Sequence, residues 1–307
     1  MLLLQLLLQL LLVLTATRCS QITNFQNYFV PFPNWYVLGP NIQYFHEHGV
    51  KGIFEEGTYG TKGGDLTELK DYIIARSLWN ISTDTDDHIK DFVAGYYGPK
   101  AGPFVQLYMD VMHGAIAETN YYMRESFDWH AAFLTKMTML ECGKAFKNAQ
   151  AVATGRYVKR VENAMMPSMF VTLLRWTEFE NFAKNESLPW PWKPTKQAQF
   201  DYFSELYGAA GVTKLSEGGR DITWLHSELF PTPKPPGPKP PPPPPVQWNS
   251  LQLLLSNPEA ILAADPGANI LRSRRRARRP TAALAASARS ARSRTAARRA
   301  SAAPTTG

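Results

Sequence analysis

Between Pro231 and Pro245, eleven of fifteen residues are proline, ending in a run of six. Such a stretch has almost no backbone N–H to donate and a fixed φ, so it can enter neither a helix interior nor a sheet. Its expected form is a polyproline II spacer, placed here at 231–246. Residues 247–307 follow as an Arg/Ala-rich tail that reads as disordered, its stretch Arg272–Arg299 being a tract of Ala, Arg, Ser, Thr and Pro without the residues that form a core. The polyproline run therefore confines any globular fold to about residues 20–230.

It also divides the charge. The whole chain is +7, but the tail carries eleven arginines against Glu259 and Asp265. The foldable part is then close to neutral, and the basic pI carries no information about its ligand. The tail could hold a polyanion through its arginines, or be a solvated appendage, and nothing points to a specific nucleic-acid partner.

At the other end, residues 2–14 are nearly pure leucine, interrupted by Gln5 and Gln9. The run is too short for a transmembrane span and matches the apolar core of a signal peptide, although no Lys or Arg precedes it. Residues 1–19 are thus expected to be a leader, and the protein to be secreted, the other reading being a misplaced start. Asn80-Ile81-Ser82 and Asn185-Glu186-Ser187 are sequons, so Asn80 and Asn185 are candidate glycosylation sites. Two cysteines, Cys19 and Cys142, do not make a disulfide framework or a zinc cluster. No metal-ligand or cofactor motif is present, and the glycine-rich loop Thr58–Gly64 lacks the Lys-Ser/Thr spacing of a phosphate loop.

Within the foldable part, Gly49–Gly57 (Gly-Val-Lys-Gly-Ile-Phe-Glu-Glu-Gly) reads as a buried strand ending in two carboxylates. A short helix is expected over Asn41–His48 before it. After it, Asp65-Leu66-Thr67-Glu68 has the spacing of a capping box and predicts a helix to about Trp79, burying Leu66, Leu69, Ile73 and Leu78. Helices are further predicted over 84–97, 103–124, 128–154, 156–184 with a kink at Pro167, and 195–208. His46 and His48 are two apart on a helix and cannot share a metal. Asn24 to Trp35 alternates aromatics with amides, and Pro31 and Pro33 force an extended path. Aromatic faces and amides suit a sugar site, and they equally suit a loop packing its own rings.

In combination, Pro31-Phe32-Pro33-Asn34, Asn41-Ile42, Gly49–Gly57, Leu69-Lys70-Asp71-Tyr72, Trp79-Asn80 and Tyr96-Tyr97-Gly98-Pro99 resemble a domain of unknown function. It forms the C-terminal part of large glycoside-hydrolase-like proteins, similar in look to α-glucuronidases and hexosaminidase-type barrels. The resemblance spans about 24–229 and implies the last strands of a (β/α)₈ barrel followed by a helical domain. Members carry a strand with a Trp-Asp-Tyr-like motif just before the position of Asn24. Here Arg18–Thr23 occupies that place, so the resemblance implies either a truncated member given a new leader or a misplaced start, and a partial barrel leaves strand edges unpaired.

The expected fold is mainly α: a partial (β/α) barrel remnant over 20–100 with one or two short strands, then a helical domain over 101–230. The expected function is a glycoside-hydrolase-like, carbohydrate-active domain, its activity alone left open by the incomplete barrel. The alternative is a non-catalytic carbohydrate-binding or scaffold domain with a polyanion-binding tail. Glu55 and Glu56 cannot act together from one strand, because successive side chains face opposite ways, so the mouth-facing acid is assigned to Glu56 over Glu55. Asn24, Tyr28, Asn34 and Tyr59 are the candidate sugar contacts.

Overall fold

The computed structural model describes residues 17–232. The leucine run, the tail and the polyproline spacer from residue 233 onward lie outside the described residues. Two short strands, β1 (Thr17–Gln21) and β2 (Gly52–Glu56), pair in parallel, and helix α1 (Trp35–Glu47) connects them. The rest is helical: α2 (Thr67–Trp79), α3 (Thr85–Phe92), a π turn (Val93–Tyr97), α4 (Gly98–Thr119), α5 (Lys136–Val152), α6 (Arg156–Leu174), α7 (Trp176–Asn185), α8 (Lys196–Ala210) and α9 (Ile222–Leu229). The described residues are therefore mainly helical, with one β-α-β unit formed by β1, α1 and β2. None of the described helices is long and apolar enough to cross a membrane.

Strand β1 is formed by residues that the sequence assigns to the leader and its cleavage zone. Its register sets Thr17 beside Gly52 and Gln21 beside Glu56. One hydrophobic core then runs from Ile22 through to Leu229. Its middle is aromatic: the Tyr108 ring lies 4.7 Å from Phe146 and 6.0 Å from Trp35, and Phe29 sits 6.1 Å from Phe203. Helices α4 and α5 form the most extensive helix pair. The boundary expected near residue 100 falls where the π turn feeds directly into α4, inside this core.

Asp65 does not cap α2, as its spacing to Glu68 suggests. Leu66 occupies the cap position in the left-handed region (φ 49°), without a side-chain cap. Asp65 turns inward instead, 1% exposed, and accepts hydrogen bonds from the Phe32 N–H (2.8 Å) and the Tyr108 hydroxyl (2.6 Å). From the next turn Lys70, 2% exposed, donates to the carbonyls of Phe32 (2.9 Å) and Ile22 (3.2 Å). The apolar stripe read for α2 is accordingly shifted: Leu66, Leu69 and Ile73 are buried, while Leu78 is 51% exposed.

The helix expected over 156–184 is two helices, and Arg175, not Pro167, marks the break. The Arg175 guanidinium donates to Glu178 (2.9 and 2.8 Å) and to the carbonyls of Trp129 (3.2 Å) and Leu134 (2.6 Å). Those carbonyls belong to a non-helical segment, so α5 starts at Lys136, capped by Thr135, rather than near Asp128. Helix α9 is an element the sequence reading omits. Asp221 caps it, accepting from the N–H groups of Thr223 (2.9 Å) and Trp224 (3.0 Å).

The inward pair yields a stability prediction. Lys70→Met leaves the Phe32 and Ile22 carbonyls without their donor and removes the charge that opposes the burial of Asp65, and is expected to cost about 1–3 kcal/mol. Urea unfolding checks this, and the cost should shrink in the Asp65→Asn/Lys70→Met double variant. Burial lowers the Lys70 ammonium from 10.5 to about 8, against the pull of Asp65 and Asp71. Between those values the unfolded chain binds more protons at this residue, so its contribution to stability rises as pH rises from about 8 to 10.5. The stability of the natural protein relative to Lys70→Met should rise across that window.

Candidate functional site

In a parallel pair, neighbours in register point to the same side. Thr17, Cys19, Gln21, Gly52, Phe54 and Glu56 thus share one face, and Arg18, Ser20, Ile53 and Glu55 the other. The second face meets α1: the Arg18 guanidinium lies 5.5 Å from the Phe45 ring, and Ile53 packs on the core. The first face is open, with Phe54 64% exposed. Glu55 consequently points toward the helices. One of its oxygens is enclosed without a partner, and burial raises its carboxyl above the usual range, opposed by a hydrogen bond with Ser20. Glu56 is directed to the open side, and its backbone carbonyl accepts from the Ile22 N–H (3.0 Å).

Past Glu56 the chain turns through Gly57 to Tyr59, where a distant segment meets it. The Tyr28 N–H donates to the Leu215 carbonyl and the Glu217 N–H to the Phe25 carbonyl, both at 2.9 Å. These bonds deliver the Glu217 side chain to Tyr59, whose hydroxyl donates to Glu217 Oε1 at 2.8 Å. The Tyr59 ring is 66% exposed and its centroid lies 6.5 Å from that of Phe25. Phe25 in turn meets Tyr28 edge-on at 6.3 Å.

Tyr28 lies beneath this surface, 1% exposed, and its hydroxyl has no hydrogen-bond partner among the described residues. A Cβ placed on Gly60 would come within 3.7 Å of that oxygen, so the Tyr59–Gly60 turn covers it. Burial, followed by the nearby Tyr59, Glu217 and Glu56, pushes the Tyr28 hydroxyl up to about 12. The hydrogen bond to Glu217, then burial and the charges of Glu217 and Glu56, raises Tyr59 as well. Neither Glu56 nor Glu217 has a Lys, Arg or His partner within 4.0 Å among the described residues. The structure therefore groups Tyr28, Tyr59 and Glu217, an enclosed hydroxyl, a flat exposed ring and a carboxylate acceptor, and the charge of Glu56 at the end of β2 bears on both tyrosines.

The other candidate contacts lie elsewhere. Asn24 is buried, donating through Nδ2 to the Phe127 carbonyl (2.9 Å) and accepting from the Asn27 N–H (3.2 Å). Asn34 is also inside, its Nδ2 3.4 Å from the Ile22 carbonyl and its Oδ1 without a partner. Asn80 and Asn185, at the ends of α2 and α7, are both exposed. Glu217 is the residue that sequence reasoning missed. Its local signal is only an acid before Gly218-Gly219, 158 residues from Tyr59.

Two cavities flank this region without including its residues. One, of about 230 Å³, lies where Gly63 and Gly64 meet the start of α2, lined also by Thr58, Lys62, Glu68 and Asn163. Only glycine fits there: Gly64 has φ +137°, and a Cβ would sit 2.7 Å from Thr67 Oγ1. The other, of about 420 Å³, lies between Ile42, Ile53 and Trp79. No group of three His, Cys, Asp or Glu side chains among the described residues could hold a metal ion.

Residues 20–110 match the sequence profile of a domain of unknown function, DUF4838. The match takes in Asp65, Lys70, Tyr108, Tyr28, Glu56 and Tyr59, and leaves out Glu217. No curated protein and no solved structure matches the chain.

An enclosed hydroxyl without a partner costs about 1–3 kcal/mol. Tyr28→Phe removes that oxygen and keeps the ring, so it is expected to raise stability, by roughly 1 kcal/mol in urea unfolding. A loss of stability would mean that the hydroxyl is satisfied within the protein.

Proposed function

We propose that this chain is a non-catalytic carbohydrate-binding domain whose site is the surface of Tyr59, Glu56 and Glu217 above Tyr28. The observation that carries the reading is the enclosed, unpartnered Tyr28 hydroxyl beneath an exposed tyrosine ring and beside two carboxylates without ion-pair partners. An exposed ring can cover the apolar face of a sugar, and carboxylates accept hydrogen bonds from its hydroxyls. Displacement of the Tyr59–Gly60 turn that covers it would expose the Tyr28 hydroxyl to a ligand oxygen. Ligand binding then satisfies a group that the free protein leaves unsatisfied.

The catalytic reading follows from the resemblance to glycoside-hydrolase-like proteins and is favoured by one observation: Glu56 and Glu217 supply two acids at one surface. Hydrolysis requires those acids to flank a bound glycosidic bond, with one held as an acid by a raised pKa. The carboxyl that burial raises at this strand end is Glu55, on the helix-facing side. Glu56 and Glu217 line neither flanking cavity. An open surface of this kind favours binding over turnover. Exposure of both sequons is compatible with a secreted location.

Calorimetric titration of the full chain with a panel of oligosaccharides tests the proposal. At least one neutral or charged oligosaccharide is expected to bind, without release of reducing sugar. Tyr59→Ala should weaken binding about tenfold while leaving the circular dichroism unchanged, consistent with loss of a stacking platform of about 1 kcal/mol or more. Absence of binding across the panel would rule the proposal out. Turnover abolished by Glu56→Gln would replace it with the hydrolase reading.

A further inference from the structure

The turn that follows α2 carries Asn80-Ile81-Ser82. Asn80 closes the helix in an extended conformation (φ −139°), its N–H still reaching the Arg76 carbonyl at 3.0 Å. Its side-chain Oδ1 accepts from the Ser82 N–H (3.1 Å), and its carbonyl accepts from the Thr83 hydroxyl (2.9 Å). This Asx turn holds the oxygen end of the amide and leaves Nδ2 without a partner among the described residues. From α1, Gln43 Nε2 donates to the carbonyls of Ile81 (3.0 Å) and Thr83 (3.2 Å), which fixes the turn against the fold. The neighbouring Trp79 is 91% exposed, more than any other large apolar side chain among the described residues. With Asn80 and Ile81 it lines the cavity of about 420 Å³ between α1, the start of β2 and the end of α2, whose wall also holds His46 and Lys51. A bare indole at the rim of an open groove is apolar surface that the described fold leaves uncovered.

We infer that Asn80 carries an N-linked glycan whose first sugar lies on the Trp79 indole and fills the mouth of this groove. The inference shares no residue with the Tyr59 surface and stands or falls apart from the reading of that surface. Its premise is the secreted location expected from residues 2–14. In the transfer, Asn80 Nδ2 bonds to the anomeric carbon of an N-acetylglucosamine carried on a lipid pyrophosphate. The bond from that carbon to the pyrophosphate oxygen breaks, the lipid pyrophosphate leaves with the electron pair, and the amide nitrogen gives up one proton. The Asx turn is made within three residues, so the chain can form it before the domain folds, while the amide is accessible. After folding, the sugar is tethered one residue from the ring, and a tether of that length keeps even a weak contact occupied. The sugar offers an apolar face to the indole, and His46 and Lys51 give the groove wall hydrogen-bonding groups for its hydroxyls. The sequon Asn185-Glu186-Ser187 lacks the turn. Asn185 is the last residue of α7, the Ser187 N–H is taken by the Lys184 carbonyl (3.2 Å), and Ser187 lies in the left-handed region (φ 54°).

The test is expression of the full chain in cultured animal cells, followed by peptide mass spectrometry of the secreted protein. Asn80 should carry a glycan at higher occupancy than Asn185, and Asn80→Gln should abolish it. The seat on Trp79 is read by oxidative footprinting of the native protein. Trp79 should oxidise about fivefold more slowly with the glycan attached than after an amidase removes it, the covered-to-uncovered ratio of one modest ring contact. Trimming with an endoglycosidase that leaves a single N-acetylglucosamine on Asn80 should keep that protection. The rate at Tyr122, which is 80% exposed and far along the chain, should not change. A chain that is not secreted, an unmodified Asn80, or occupancy at Asn80 no greater than at Asn185 overturns the inference. Equal oxidation of Trp79 with and without the glycan also overturns it, as does protection that is lost on trimming to one sugar. None of these outcomes bears on the oligosaccharide titration, whose failure would remove the reading of the Tyr59 surface alone.

Discussion

The peptide of Phe32 is held from both sides by charge. Its N–H goes to the Asp65 carboxylate and its carbonyl to the Lys70 ammonium, which also takes the carbonyl of Ile22. Burying irregular backbone is costly because each N–H and C=O must find a partner. The segment Pro31-Phe32-Pro33 lowers that demand, since neither proline has an N–H to satisfy. Phe32 carries the remaining donor, and Asp65 answers it. The Tyr108 hydroxyl on α4 closes the network on the other oxygen of Asp65. One buried polar junction thus fastens the exit of β1, the proline segment, α2 and α4. Burial pushes Asp65 up and Lys70 down, each toward its neutral form, and each is opposed by the other's charge. The partners reinforce one another only while both are present.

That junction explains how much of the fold was legible. Elements set by local pattern are found, β2 over Gly52–Glu56 and the glycine loop among them, but β2 is not the buried strand expected over Gly49–Gly57: none of its residues is buried and Phe54 is 64% exposed. The misread elements depend on partners far away in the chain. Asp65 looks like a cap because its distance to Glu68 is visible, whereas its real partners are Phe32 and Tyr108. Arg175 looks like one more helical residue, and only its bonds to Trp129 and Leu134 reveal why the helix breaks there and why α5 begins late. Strand β1 was hidden for a different reason. Its residues follow a leucine run that suggests a leader, and its strand character comes from pairing with β2.

The site shows the same division. Strand parity, which needs only the sequence, separates Glu55 from Glu56, and the register agrees: Glu55 shares its face with Ile53 toward α1, while Glu56 shares its face with the exposed Phe54. Tyr28 and Tyr59 were read from an aromatic-rich context. That context does not say which amides face outward, and Asn24 is committed to the backbone of Phe127. Glu217 had no local signature at all. Its arrival depends on Leu215 and Glu217 making backbone bonds to Tyr28 and Phe25, a pairing of loops with no periodicity to detect.

The surroundings of the β-α-β unit also differ physically from one another. The polar junction at Phe32 satisfies its buried groups and stabilises the protein. A few residues away, Tyr28 keeps its hydroxyl enclosed without a partner, and Glu55 keeps an oxygen in the same condition. Both lie at or beside the C-terminal end of β2, whereas the Asp65–Lys70 network has none of its polar atoms unpaired. The Phe32 peptide is satisfied by two buried charged side chains, each bonded to its backbone. Leaving the Tyr28 hydroxyl open costs stability. Enclosed atoms without a partner also occur at Asn34, Trp35 and Tyr207, so the surface above Tyr28 is distinguished by the exposed Tyr59 ring and the Glu217 carboxylate that accompany its open hydroxyl.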